Sequence, residues 1–302
     1  MRYRELGNTS ALVSVIGFGA SPLGDVFGPV EQSEADRAVH RAIASGINFF
    51  DVSPYYGNTL AERRLGHALR GHRSRVILAT KCGRYGLNSF DFSARCVFRS
   101  IDESLARLQT DYVDLLQAHD VEFGDERQIL EETIPALEEV RRLGKARWIG
   151  ITGYSLDVLR RLAEASSVDT VLSYCHYNLL ADDLDLHLLP TVQARGIGLI
   201  NASPLHMGIL TRAGAPAWHP APAAVRQAGQ RYVDYCEAHG LDPAVIALRF
   251  CLEHPAVACT LVGIKDEQQL NRNLEALDFE LTPQLLEDIR QLLAPAHGIT
   301  WA

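Results

Sequence analysis

Short apolar runs alternate with longer amphipathic stretches along almost the whole chain. Ile47–Phe50, Val76–Thr80, Tyr112–Leu116, Ala146–Ile151, Thr170–Leu172, Gly198–Ile200 and Thr260–Val262 each read as a strand, and Val15–Phe18 is an eighth candidate. Between them the spacing turns helical. Val97, Ile101, Leu105 and Leu108 recur on one face of Ser93–Leu108. Ser33 is a candidate N-cap, and Gly46 a stop just before Ile47. A helix over Thr133–Arg142 tolerates Pro135 in its first turn, with Gly144 ending it. Ser155, Leu156 and Asp157 open another helix that ends near Ala165.

Strand then helix, repeated about eight times, calls for parallel strands joined by crossovers. Two points favour a closed barrel over an open doubly wound sheet. The repeats fill the chain, and no Gly-rich dinucleotide fingerprint follows the first strand. The prediction is a single α/β domain over residues 1–302, a (β/α)8 TIM barrel with a short N-terminal β-hairpin. The hairpin, from Tyr3–Leu6 and Leu12–Ser14, would plug the barrel bottom. The Pro- and Ala-rich stretch Ala213–Ala224 reads as a surface loop.

Composition narrows the function classes. A chain of 302 residues with 47% apolar residues can bury a large core. A net charge of -8 argues against a nucleic-acid surface or a polybasic membrane patch. Cys82, Cys96, Cys175, Cys236, Cys251 and Cys259 are scattered and form no CxxC pair, which predicts neither a metal cluster nor a disulfide framework. Reduced thiols and the lack of an apolar stretch behind Met1–Glu5 point to the cytoplasm. No apolar run is long enough to span a membrane. No heptads or exposed apolar stripe indicate an oligomeric state.

In a barrel of this kind chemistry sits where strands end. The second strand runs into Asp51, the third into Lys81, and the fourth into His119 and Asp120. Tyr56 follows Asp51 in Asp51-Val52-Ser53-Pro54-Tyr55-Tyr56-Gly57. Tyrosine is a poor base at neutral pH, and a neighbouring ammonium lowers its pKa. A buried lysine needs a counter-charge, which Asp51 can supply. His119 can orient a substrate oxygen or share its proton. Lys81 is one of three lysines in the chain, so its place directly after an apolar strand is informative. The four make a coherent proton-transfer site, although each alone has a plainer reading as a cap, a solvated charge or packing.

Asp51 through Tyr56-Gly57, Lys81 after its strand, and His119 after Asp114-Leu115-Leu116 resemble the Asp-Tyr-Lys-His tetrad of the aldo-keto reductases. The resemblance covers nearly the whole chain and extends to Gly17-Phe18-Gly19, Ser203-Pro204-Leu205 with Gly208, and Gly263 with Asn273-Leu274. It implies hydride transfer to or from a nicotinamide. A narrower likeness is to the aldose-oxidising branch that acts on L-galactose in plants. It rests on Gly17–Gly24, Val26–Val30, Ala79–Tyr85, Leu172–Tyr177 and Thr300-Trp301. This likeness implies oxidation of a sugar at C1 to a lactone. Dehydrogenases of L-fucose or D-arabinose, an NADPH-dependent aldehyde or ketone reductase, and a non-catalytic subunit of a channel stay open as alternatives.

The chain departs from the wider family where Ala202 replaces a common tyrosine, where Thr152-Gly153 replaces Ser-Asn, and where Ser173 or Tyr174 replaces Gln. Thr152 and Ser173 are therefore candidates for the carboxamide. Ser203, Leu205 and Gly208 after the seventh strand, and Gly263, Lys265, Gln269 and Asn273 after the eighth, are candidates for the rest of the cofactor. A helix starting near Asp266 or Glu267 would present amides to a phosphate. Relatives that use NADP commonly carry an arginine where Gln269 stands. With acidic Asp266 and Glu267 close by, the expectation is NAD. Tyr55, Arg84, Tyr85, Asp120 and His176, with Ser53, are the candidate sugar contacts. Trp148 and Trp301 are assigned to packing, with a cover over the sugar pocket as a second role for Trp301.

Overall fold

Alternation along the apolar runs sorts their side chains into two layers. Phe49, Ala79, Leu115, Leu172, Ile200 and Leu261 share one buried cluster, and their neighbours Phe50, Leu78, Leu116, Val171, Leu199 and Val262 share another. This is the period of two that a strand imposes, with one set facing inward and the other facing the helices. The computed structural model describes residues 1–301. Its strands in chain order are β1 (Tyr3–Glu5), β2 (Leu12–Ser14), β3 (Ile16–Gly19), β4 (Phe49–Asp51), β5 (Ile77–Cys82), β6 (Arg84–Gly86), β7 (Ser89–Phe90), β8 (Val113–Ala118), β9 (Ala146–Gly153), β10 (Thr170–Tyr174), β11 (Gly198–Ala202) and β12 (Cys259–Gly263). Strands β3, β4, β5, β8, β9, β10, β11 and β12 pair in that order and close into a barrel. Every pairing in it is parallel. The fold is the (β/α)8 barrel expected from the strand–helix alternation.

The hairpin β1–β2 is antiparallel, and Leu6, Ala11 and Val13 from it join the inward-facing cluster. It thus fills the bottom of the barrel and leaves the C-terminal ends of the strands free. Helix Ala94–Leu108 forms as its spacing predicts. Val97, Ile101, Leu105 and Leu108 are buried, and the Ser93 side chain accepts the Cys96 N–H. Ser155 caps Leu156–Ala165 in the same way.

The helix expected over Thr133–Arg142 runs Ile134–Arg142 and carries Pro135 in its first turn. Before it come a short helix, Glu126–Gln128, where Asp125 accepts the Gln128 N–H at 2.8 Å, and a π-helical turn over Ile129–Thr133. Two local features differ from the sequence expectations. The first helix runs Gln32–Ala44, so Ser33 lies inside its first turn and Glu31 holds the cap position. The loop after β5 contains an unanticipated second hairpin, β6–β7.

Candidate active site

Strand ends β4, β5 and β8 bring four side chains together. Asp51 is the last residue of β4, Lys81 lies in β5, and His119 follows β8. Tyr56 sits in the turn after β4, and its position depends on glycines. Gly57 has a φ of 60°, and a Cβ there would come within 2.1 Å of the Gly24 carbonyl oxygen. The close approach of these two loops fixes Tyr56 over Lys81.

Lys81 is 1% exposed and its ammonium is fully engaged. It ion-pairs with Asp51, donates to the Val52 carbonyl at 2.9 Å, and lies 3.2 Å from the Tyr56 hydroxyl. Gln117, which the sequence reading did not single out, donates to the other Asp51 oxygen at 3.0 Å. Burial works against the Lys81 charge, but Asp51 and Tyr56 outweigh it and hold the ammonium above its ordinary pKa. Burial pushes Asp51 upward, while Lys81 and Gln117 pull it back.

The Tyr56 phenol does not behave as the Lys81 contact alone predicts. Burial pushes it up to about 12, Lys81 lowers it, and Asp51 and Asp120 raise it again. In the free protein Tyr56 is thus a protonated phenol throughout the neutral range. His119 is 4% exposed and shifts the other way. Burial, then Lys81 and Arg84, hold it well below its ordinary pKa, so the ring is neutral. Its Nδ1 lies 3.0 Å from the Ser53 hydroxyl, which itself accepts the Tyr55 N–H at 3.1 Å. The Ser53 hydroxyl can donate to Nδ1, and in that tautomer the histidine proton sits on Nε2. In that tautomer the tetrad offers one phenol and one imidazole N–H.

The candidate sugar contacts divide. Arg84 ion-pairs with Asp120, lies 4.0 Å over the Tyr55 ring and donates to the Tyr55 hydroxyl at 3.2 Å. Asp120 is 2% exposed, and its Oδ1 has no partner. Ser53 is taken up by His119, so it positions that ring. Tyr85 does not join the group. The hairpin β6–β7 turns it outward, where its hydroxyl accepts from Gly83 N–H and contacts Cys96 of the helix behind the barrel. His176 lies after β10, apart from the tetrad, with Asp183 on its Nδ1.

The candidate cofactor residues divide as well. The Ser173 hydroxyl and the Asn273 amide nitrogen are buried without a hydrogen-bond partner. These unsatisfied atoms fit polar groups of a nicotinamide dinucleotide. Thr152 is spent on the Asp120 N–H, at 3.2 Å. Ser203 and Gly208 have φ values of 58° and 105° in the loop after β11, and Leu205 packs beneath it. Gly263 ends β12 against Pro22. Asp266 is the N-cap of Glu267–Glu275, accepting the Gln269 N–H at 2.7 Å. The Gln269 side chain folds back onto Lys265 N–H at 3.1 Å. Arg272 lies 3.4 Å from Asp242, a partner that Arg212 shares.

Sequence reasoning missed Gln117, Tyr154, Tyr174 and His206. A lone polar residue near a strand end carries little signal; the burial of Gln117 and His206 and the ring contacts of Tyr154 and Tyr174 set them apart.

Comparison with known proteins adds independent support. A family model described as the aldo/keto reductase family matches residues 15–294. An L-galactose dehydrogenase of Arabidopsis thaliana is 46% identical, over 99% of this chain and 96% of its own length. A D-threo-aldose 1-dehydrogenase of a Pseudomonas species is 28% identical, over 92% and 94%. The solved holo form of aldo-keto reductase AKR11C1 from Bacillus halodurans superposes with a TM-score of 0.81 at 28% identity, covering 97% of this chain and 96% of that one.

Proposed function

We propose, from the premise that this chain belongs to the aldo/keto reductase family, that it oxidises an aldose at C1, with L-galactose as the leading substrate and NAD as the acceptor. The observation that carries the reading is the Lys81 ammonium held between Asp51 and the Tyr56 hydroxyl, with neutral His119 beside them. The 46% identity to a named L-galactose dehydrogenase supports the choice of sugar.

The cyclic sugar places its anomeric hydroxyl between Tyr56 and the His119 Nε2–H. Tyr56 acts in its phenolate form, its own proton having left to solvent: the phenolate takes the hydroxyl proton while the C1 hydrogen departs as a hydride, and the ring carbon becomes the lactone carbonyl. The nicotinamide supplies the two-electron acceptor. Lys81 stabilises negative charge on the Tyr56 oxygen, and Asp51 with Gln117 keeps the ammonium charged and aimed. The free Asp120 oxygen, braced by Arg84 and Tyr55, accepts a neighbouring sugar hydroxyl. Much of the rate comes from holding the proton and hydride paths in one geometry.

Ser173 and Asn273 would hold polar groups of the dinucleotide, and the amides opening Glu267–Glu275 its phosphate. The preference for NAD rests on what surrounds the adenosine end. Gln269 replaces an arginine and is folded back, and Arg272 is drawn to Asp242. Six buried, unpaired cysteines suit a reducing cytoplasm. Among the described residues, no helix is long and apolar enough to cross a membrane.

The test is steady-state reduction of NAD and of NADP across a panel of aldoses, with Tyr56→Phe as the control. L-Galactose should give the highest kcat/KM, NAD should outperform NADP, and Tyr56→Phe should lose about 10²–10⁴-fold in kcat while still binding NADH. Wild-type turnover by Tyr56→Phe, or no aldose oxidation at all, would sink the assignment.

A further inference from the structure

Across the barrel mouth from the tetrad, the ends of β9, β10 and β11 carry a group of aromatic and imidazole rings. Tyr154 follows β9, His176 follows β10 and His206 follows β11. The two histidines are 4% and 2% exposed. Each is pinned through Nδ1. That of His176 lies 2.9 Å from both Asp183 oxygens, and that of His206 lies 3.2 Å from the Asn178 side-chain oxygen. The same Asn178 oxygen accepts the Leu180 N–H at 2.9 Å, so it is an acceptor and His206 Nδ1 carries a proton. On both rings the second nitrogen, Nε2, is buried without a partner.

Trp301 closes over this group. Its ring stacks on Tyr154 at 5.5 Å and meets the edges of His206 at 4.9 Å and His219 at 5.1 Å. The Trp301 backbone N–H donates to the Tyr154 hydroxyl at 3.1 Å. Tyr154 in turn lies 4.5 Å from the His176 ring and 5.5 Å from Tyr174. Tyr174 feels the charges of Asp120, Glu122 and Arg84, which connects the group to the catalytic side.

Buried polar atoms are nearly always paired, and a buried orphan on a site wall calls for an explanation. Packing does not require either Nε2, since an apolar ring of the same size would fill the space. We propose that His176 and His206 form the distal wall of the sugar site, binding aldose hydroxyls remote from C1, with Trp301 covering them. This rests on the proposed aldose reaction and deepens it. A hydroxyl can donate to or accept from an imidazole nitrogen, so a polyol suits both rings. Burial keeps His206 neutral, down to a pKa of about 3, which leaves its Nε2 as an acceptor for an O–H. A site built to pair a hydroxyl strongly rejects an analogue lacking it, so these residues would set the choice among aldoses.

The test uses His176→Asn and His206→Asn. Asparagine keeps a donor near the Nδ1 position and deletes Nε2. The readouts are the Kd of the enzyme–NADH complex for L-galactose, and kcat and KM for L-galactose and its deoxy analogues, L-fucose included. Each variant should raise Kd and KM by about 10–100-fold, with a smaller change in kcat. The wild-type preference over at least one deoxy analogue should shrink by a similar factor. Should an Asn variant not fold, truncation after Thr300 removes only the cover and should raise KM about tenfold. Unchanged Kd and unchanged discrimination in folded variants overturn the proposal while leaving aldose oxidation standing. A wild type that binds L-galactose through these histidines without oxidising it overturns the proposed reaction and leaves the wall. If the wild type neither binds nor oxidises any aldose, both fall.

Discussion

The two sides of the barrel mouth are built on opposite rules. At the ends of β4, β5 and β8 stand ions: Asp51, Lys81, Arg84 and Asp120, each paired inside the protein. At the ends of β9, β10 and β11 stand aromatic and imidazole rings, and His176 and His206 each keep an Nε2 with no partner. A buried charge cannot wait for a ligand, because leaving it unpaired costs too much, whereas an unpaired imidazole nitrogen can. In the proposed reaction the charged side carries the preorganised chemistry, and the ring side carries recognition that a ligand completes.

The sharpest way to break this contrast is to remove one charge. Lys81→Met leaves Asp51 buried and unpaired, which should cost about 3–5 kcal/mol of stability, besides the loss of activity. Adding Asp51→Asn to Lys81→Met should restore most of that stability and none of the activity. Melting curves and NAD reduction assays on the two variants check this. If the single variant is as stable as wild type, the pair is not the closed, dry unit the distances indicate. On the ring side, removing one imidazole should change KM and leave stability nearly untouched.

The same contrast governs what was legible in the sequence. Asp51 and Lys81 stood out because an ion directly after an apolar strand is costly and needs a reason. The barrel was legible because the alternation of strand and helix constrains topology strongly. His206 and Tyr154 were not legible, because a neutral ring at a strand end is ordinary core material. The meaning of His206 lies in its unpaired Nε2, and that of Tyr154 in its stacking on Trp301, and neither shows until the chain is folded. Tyr85 was misplaced for another reason: the hairpin β6–β7 reverses the chain just after β5 and turns the ring toward Cys96. Pro135 was legible because the first turn of a helix is where a proline costs nothing, and the π turn before it was not, since no residue pattern announces one.

A second prediction separates the two chemical roles of the charged side. Tyr56 at about 12 is a ready acid and a reluctant base. Reduction of a carbonyl should be nearly flat with pH in the neutral range, since the phenol stays protonated. Oxidation at subsaturating substrate should rise up to about tenfold per pH unit between about pH 7 and 9, because the base form grows by that factor. Initial rates in both directions check this. An oxidation rate that is flat over that range would show that the proton leaves by another group, with His119 the first candidate.

The smallest effect is expected at the seam between the two sides, where Glu122 sits after β8 and reaches the end of β9. One of its oxygens accepts the Tyr154 N–H at 2.8 Å, and the other is buried against Gly153 without a partner. Burial, then repulsion from Asp120, raises its carboxyl from 4.5 to about 7. A carboxyl raised on folding holds its proton more tightly in the native state. Its stabilising contribution is complete below about pH 4.5 and is lost as pH rises through about 7. Glu122→Gln keeps the acceptor for Tyr154 and removes the charge. The variant should therefore match wild type near pH 4 and exceed it by about 2–3 kcal/mol near pH 8. Denaturant melts at the two pH values decide it. A gain that is equal at both would mean that the benefit is shape, not charge, and that the ionic side of the mouth ends at Asp120.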